Sequence, residues 1–275
     1  MGLNMENFLS YSPAAYDLVL HVLVLGFGAH VAGLVYFLTT SSRSAPKYRL
    51  ASTISGVVMV SAALILFQQQ QNWSNAFVFN GDRWVRTDDT FSNGYRYINW
   101  TIDVPMLLTQ LLIVLGIVGA SFKKLWWRLT VASLGMIYTG YVGQFYEATS
   151  VTQVLVWGTI STVFFVYLLY VVWTTIDKQL GTMSPRAAGW IRAARWVLVV
   201  SWLLYPGAYL APLAGLTEQV VVARQMTITI ADITSKIIFG VLLSLAAEAR
   251  SSDEGFQQAR TAQGEREGDL VAEQA

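Results

Sequence analysis

Long apolar runs alternate along the chain with short polar connections, and seven of the runs reach the about 20 residues that an α-helix needs to cross a hydrocarbon layer. They fall near 17–40, 50–71, 94–119, 125–146, 151–174, 190–213 and 217–247. The longest connection, from about Asn72 to Asn93, contains FVFNGDRWVRTDD. Its aromatic and β-branched residues flank Asn80-Gly81, a pairing that predicts a small β-hairpin. The opening MENFLSYS reads as a short amphipathic cap. From about Ser251 onward the chain is rich in Gly, Gln and Glu with little to bury, which predicts a disordered tail. The expected organisation is an N-terminal segment 1–16, a membrane domain 17–248 and a tail 249–275. The fold class is an all-α seven-helix membrane bundle.

Composition agrees with the lipid bilayer as solvent. Hydrophobic residues make up 54% of the 275 and charged residues 13%, and the mean hydropathy is +0.46. Lys and Arg settle the expected orientation. Arg43, Lys47 and Arg49 follow span one, Lys123, Lys124 and Arg128 follow span three, and Lys178, Arg186, Arg192 and Arg195 follow span five. Arg250, Arg260 and Arg266 lie beyond span seven, whereas no basic residue precedes span one or separates spans four and five. The positive-inside rule then puts the N-terminus and hairpin outside and the tail in the cytoplasm, at the cell (inner) membrane. No basic segment precedes the first apolar run, so span one is expected to insert as its own anchor. The absence of cysteine excludes disulfides, thiolate metal sites and cysteine nucleophiles. A net charge of +1 specifies no partner, and no nucleic-acid partner is expected.

Span three carries unexpected polarity. Asn99, Asp103 and Gln110 lie 3, 7 and 14 residues after Arg96. At about 100° per residue, all four fall within roughly 60° of arc. Pro105 lacks an N–H and frees the carbonyl of Thr101 beside this stripe. A charge at mid-membrane costs about 2.5 to 3.5 kcal/mol on insertion scales, so Asp103 needs a cation or a water-filled cavity. A lone Asn or Gln would read as glue between helices. A carboxylate in the same stripe shifts the reading toward function.

Span seven supplies the cation. ITIADITSKIIFG holds Lys236, the only lysine deep inside a span, with Asp232 one turn before it on the same face. One reading is a plain buried ion pair, a poor source of stability because desolvation offsets the Coulomb gain. The other is a Schiff base between Lys236 and an aldehyde, which desolvated lysines form readily. Asp103 and Asp232 would then be its counterion.

Seven spans, RYINW in span three, WLLYPGAY in span six and DITSK in span seven together resemble the microbial rhodopsins, over about Tyr16 to Leu245. The set Asn99, Asp103, Gln110, with NGYRYINWTIDVPMLL, TGYVGQFYE and SWLLYPGAYLAP, is similar to the light-driven sodium pumps of that family. The resemblance implies that Lys236 carries all-trans-retinal. It implies too that Trp100, Val104, Leu107, Met136, Gly140, Trp202, Tyr205, Pro206 and Ser235 confine the polyene and its ring. Ser61 matches a position that bonds the resting aspartate. Arg96, Gln69, Glu147 and Arg224 match an outer exit cluster, for which an interfacial salt-bridge network is an equal reading. Gln110 and Ser61 would guide uptake, while Ser52 and Ser244 stand near the uptake mouth where the family's pattern has Asn and Gly. His21 and Asp89 match positions that meet across protomers, implying a pentamer, and His30 has no counterpart and no assigned role. Whether a carotenoid antenna binds is left open.

The triplet bears on the cargo. Amides do not titrate, so neither Asn99 nor Gln110 can accept or deliver a proton, and Asp103 is left as the acceptor. A carboxylate in that place argues against chloride. A sodium ion cannot pass a cationic Schiff base in a low dielectric, so proton transfer to Asp103 would open the path. Asn99 and Asp232 would offer oxygen ligands. The expected activity is outward sodium transport rather than enzyme catalysis, with proton pumping when sodium is scarce. A pure proton pump and a photosensor signalling through a partner are the alternatives, and the tail shows no recognisable transducer domain.

Overall fold

The computed structural model describes residues 4–256. Seven helices form a ring in chain order: α1 (Pro13–Thr40), α2 (Pro46–Ala76), α3 (Gly94–Val114), α4 (Gly119–Gln144), α5 (Val151–Leu180), α6 (Pro185–Tyr209) and α7 (Glu218–Asp253). Each packs on the next, and α7 closes the ring against α1 and α2. Local chemistry fixes the starts. Ser12, Ser150, Ser184 and Thr217 cap α1, α5, α6 and α7 by accepting from backbone N–H groups, and proline opens α1, α2 and α6, where its missing donor costs nothing. Between α3 and α4 the chain turns through Gly116 and Gly119, at φ of +74° and +63°.

Six of the seven helices are long and apolar enough to span a membrane; α4, with Lys123, Lys124 and Arg128 in its first half, is not. The fourth span expected from the sequence is nevertheless a continuous helix wedged between α3 and α5. Several helices overrun their expected ends. The extra residues of α2 are NWSNA and those of α5 end in IDKQL, largely polar sequence that is helical beyond the expected apolar runs. In the other direction, α3 stops at Val114, because the glycine turn intervenes before 119.

Phe77–Phe79 (β1) and Trp84–Arg86 (β2) form the expected hairpin, with Val78 opposite Val85. The Asn80 side chain accepts from the N–H groups of Asp82 and Arg83, and Gly81 adopts φ +102°. Tyr11 pairs with Trp84 through two backbone hydrogen bonds, so the N-terminal segment joins the hairpin. A single-turn helix, Met5–Phe8, precedes it with Met5, Glu6 and Asn7 buried. The predicted amphipathic cap is thus a plug at the hairpin end, packed on Trp73, Phe77 and Phe91. At the opposite end α7 runs to Asp253, past the expected boundary at 249, so the first residues of the predicted disordered tail are helical; residues 257–275 of that tail lie outside the described residues.

Candidate functional site: a lysine and its carboxylates in an apolar cavity

The stripe on α3 faces inward, as its spacing required: Arg96, Asn99, Asp103 and Gln110 are all buried. Across from it, α7 departs from α-helical geometry, and Ile233–Ile238 are π-helical. Such turns recur at functional sites. This one carries Ser235 and Lys236.

The Lys236 ammonium is the centre of the site. Its Nζ donates to Asn99 Oδ1 at 2.6 Å and lies 3.0 Å from Asp103 Oδ2 and 3.0 Å from Asp232 Oδ1. The two carboxylates are not equivalent. Asp232 also accepts from Arg96 Nη1 at 3.0 Å, Tyr205 Oη at 2.8 Å and Trp100 Nε1 at 3.2 Å. Asp103 has Lys236 and, beside it, the Ser61 hydroxyl. Ser61 Oγ accepts from Asn99 Nδ2 at 2.9 Å. Four donors hold Asp232 as an anion, whereas Asp103 has lone pairs to spare, which makes it the better proton acceptor of the pair.

Lys236 stands at the wall of a cavity of about 580 Å³. Trp100, Val104, Leu107, Met136, Gly140, Trp202, Tyr205, Pro206 and Ser235, the nine pocket positions inferred from the sequence, all line it. The cavity also reaches Gly158, Thr162 and Val163 on α5, which the sequence reading did not include. A predominantly apolar chamber with one amine fits a long apolar aldehyde that bonds at one end.

The expected exit residues separate into two layers. Arg96 belongs to the inner one: beyond Asp232 it donates to Gln225 Oε1 and Thr229 Oγ1, each at 3.1 Å. Glu147 and Arg224 form the outer one, with contacts of 2.5 and 3.0 Å. Gln69 joins neither, donating instead to the Ser92 carbonyl at 3.1 Å. What links the layers is Glu6, which accepts from Gln225 Nε2 at 2.8 Å and from Asn93 Nδ2 at 3.0 Å and meets Arg224 at 3.5 Å. Glu6, Asn93 and Gln225 were missed from sequence. Glu6 lies in a weakly patterned segment, and the amides carry no signal until the helices are assembled.

Toward the tail end, Gln110 Oε1 accepts from Ser55 Oγ at 2.8 Å, a partner the sequence reading also missed. Ser52 and Ser244 are buried there, but Ser244 bonds its own helix at the Gly240 carbonyl and neither hydrogen-bonds Gln110. Ser61, expected to bond the resting aspartate and to guide uptake with Gln110, sits at the central site beside Asn99. His21 and Asp89 are exposed at the hairpin end, well apart from the cavity lining.

This geometry defines a class: a seven-helix membrane protein with a lysine held by two carboxylates at an apolar internal chamber. Residues 17–249 match the family described as bacteriorhodopsin-like protein, and the chain belongs to that family, the light-driven microbial rhodopsins. It is similar to the green-light absorbing proteorhodopsin of gamma-proteobacterium EBAC31A08, 25% identical over 230 residues covering 82% of this chain and 84% of that protein. The crystal structure of thermophilic rhodopsin superposes with a TM-score of 0.85 at 32% identity, covering 90% of this chain and 99% of the other. Xanthorhodopsin, described as a light-driven ion pump with dual chromophore, gives 0.83 at 31% identity over 90% of this chain and 99% of its own. Members of this family are light-driven pumps or sensors rather than enzymes, and they imply a retinal chromophore on a Schiff-base lysine.

Proposed function

We propose that the chain is a light-driven outward sodium pump, able to move protons when sodium is scarce, with Lys236 as the retinal-bearing lysine. The supporting observation is the α3 stripe, in which a single carboxylate, Asp103, faces Lys236 between two amides, Asn99 and Gln110. Lys236 would hold retinal, which when bound would supply a light-sensitive cation with a proton to give up at Lys236 Nζ.

Asp103 receives that proton. Asp232 stays ionised under its hydrogen bonds from Arg96, Tyr205 and Trp100. While Asp103 is neutral, a cation no longer meets a fixed positive charge at Lys236 Nζ. The oxygens of Asn99 and Asp232, both within 3.0 Å of that nitrogen, are then placed to hold sodium as the passing substrate. Gln110 with Ser55 offers polar oxygens on the uptake side, near Ser52 and Ser244. Gln225, Glu6, Glu147 and Arg224 lead to the exit. Return of the proton from Asp103 restores the positive barrier behind the ion. Because Asn99 and Gln110 cannot titrate, the proton is retained inside and sodium leaves.

The exposed His21 and Asp89 are available to neighbouring copies, in keeping with assembly as a pentamer. Illumination of cells in sodium chloride tests the cargo. Sodium export drives passive proton uptake that a protonophore enhances and potassium replacement suppresses. A light-driven acidification that the protonophore abolishes would instead establish a proton pump. Lys236→Ala is expected to remain colourless with added retinal.

A further inference from the structure

One buried titratable side chain has no part in this scheme. His30 of α1 is fully buried. Gly26, His30 and Gly33 follow one another at four and three residues and so share a helix face. That face packs against α7 and α2: a side chain at Gly26 would strike Thr229 and Leu66, and one at Gly33 would strike Met59 and meet Ile237. His30 lies between them, level with the π-helical turn Ile233–Ile238.

The ring's hydrogen bonding is decided at one end. Nδ1 is 2.7 Å from the Gly26 carbonyl, which can only accept, so Nδ1 carries the hydrogen. The neutral ring then presents a lone pair at Nε2, and no donor among the described residues reaches it. The charges acting on the ring are Lys236 and Asp232 of α7 and Arg96 of α3, while α2 presents Leu66 and Met59. The opposing turn of α7 is π-helical. Inserting a residue into the α-helical ladder leaves a backbone carbonyl without its usual N–H. Two buried acceptors cannot satisfy each other, but a molecule with two O–H donors satisfies both.

We propose that His30 and the π turn of α7 hold a buried water, which donates to His30 Nε2 and to the carbonyl left over by the turn. His30 is thereby a positioning residue for Asp232, which immediately precedes this turn, and for Lys236, which the turn carries. The inference rests on α7 as the chromophore helix and is independent of the cargo.

His30→Met and His30→Gln in the full chain with retinal test it. Methionine replaces the ring without a strong acceptor, whereas glutamine keeps one. In light-minus-dark infrared spectra with isotopically exchanged water, one internal-water O–D band is expected to vanish in His30→Met and to persist in His30→Gln. The visible absorption maximum should shift in the first variant and return toward the parent in the second. Without retinal, His30→Met should melt below the parent. Unchanged water bands and colour, with His30→Met melting at or above the parent, would overturn the proposal, since removing an unpartnered buried nitrogen is neutral or stabilising. Should His30→Met not fold, nitrogen NMR of the parent decides: Nε2 with the shift of a hydrogen-bonded lone pair supports the water, and that of a free lone pair refutes it. If the parent binds no retinal, the chromophore reading fails, while the retinal-free melting comparison still reports on the clamp.

Discussion

Replacing Arg224 by methionine should destabilise the molecule through the buried ion pair at the rim of the cavity. Arg224 is buried and holds Glu147 through contacts of 2.5 and 3.0 Å, and it meets Glu6 at 3.5 Å. Side-chain exposures of 3% for the arginine, 1% for Glu147 and 0% for Glu6 mean that water cannot take its place without rearrangement. At 2.5 Å and an effective dielectric of 20, the Arg224–Glu147 attraction is about 7 kcal/mol before desolvation is subtracted. Removing one partner of such a pair typically costs about 3 to 5 kcal/mol, because the other charge stays buried. Glu6 retains donors in Gln225 and Asn93, so the loss falls chiefly on Glu147, whose remaining donors are Asn4 Nδ2 and Met5 N at 3.3 Å. With about 2 to 4 °C per kcal/mol for a chain of this size, Tm should drop by roughly 6 to 20 °C. Tryptophan fluorescence during heating in detergent measures this, and the absorption maximum should stay near that of the parent. Adding Glu147→Leu to Arg224→Met removes the stranded carboxylate and should restore much of the loss. The reasoning is wrong if the single variant melts within about 3 °C of the parent or the double variant melts no higher than the single.

Two further expectations follow from the opposite end. Ser55→Ala removes the donor to Gln110, a hydrogen bond of about 0.5 to 1.5 kcal/mol, so the sodium-dependent late phase of the photocycle should slow by roughly two- to twelvefold at low sodium in flash photolysis, and not at all if Gln110 has no uptake role. At Glu254, burial pushes the carboxyl up, but hydrogen bonds from Lys47 and Tyr48 override it and hold the group below its ordinary range. A depressed folded value stabilises above the ordinary carboxylate value of about 4.3 and loses that contribution as pH falls through the folded value. Acid titration of stability should therefore show a small loss, about 0.2 to 1 kcal/mol for so exposed a pair, that Glu254→Gln lacks.

The bundle was legible because six of its seven helices are apolar for the length of a bilayer, and the α3 stripe because helical periodicity alone puts Arg96, Asn99, Asp103 and Gln110 on one face. Lys236 and its carboxylates were legible because an intramembrane charge demands an opposite one. Helix ends were not. Once outside the hydrocarbon, polar sequence such as the end of α2 is helical without any hydropathic signature. Partners such as Ser55 for Gln110 and Glu6 for Gln225 were hidden for a different reason. They are 55 and 219 residues apart and neutral or weakly patterned, so only the assembled ring brings them together. The π turn at Lys236 was equally silent, since no residue type in ITSKII marks it.

The central claim is that sodium crosses because Asp103 takes and returns a proton. Light-driven flux of radioactive sodium in liposomes reconstituted with the purified protein, with a protonophore present, addresses it most directly. Sustained light-dependent sodium movement in the parent, falling to background in Asp103→Asn, is the expected result; sodium movement undiminished in Asp103→Asn, or proton flux with no sodium movement in the parent, contradicts it.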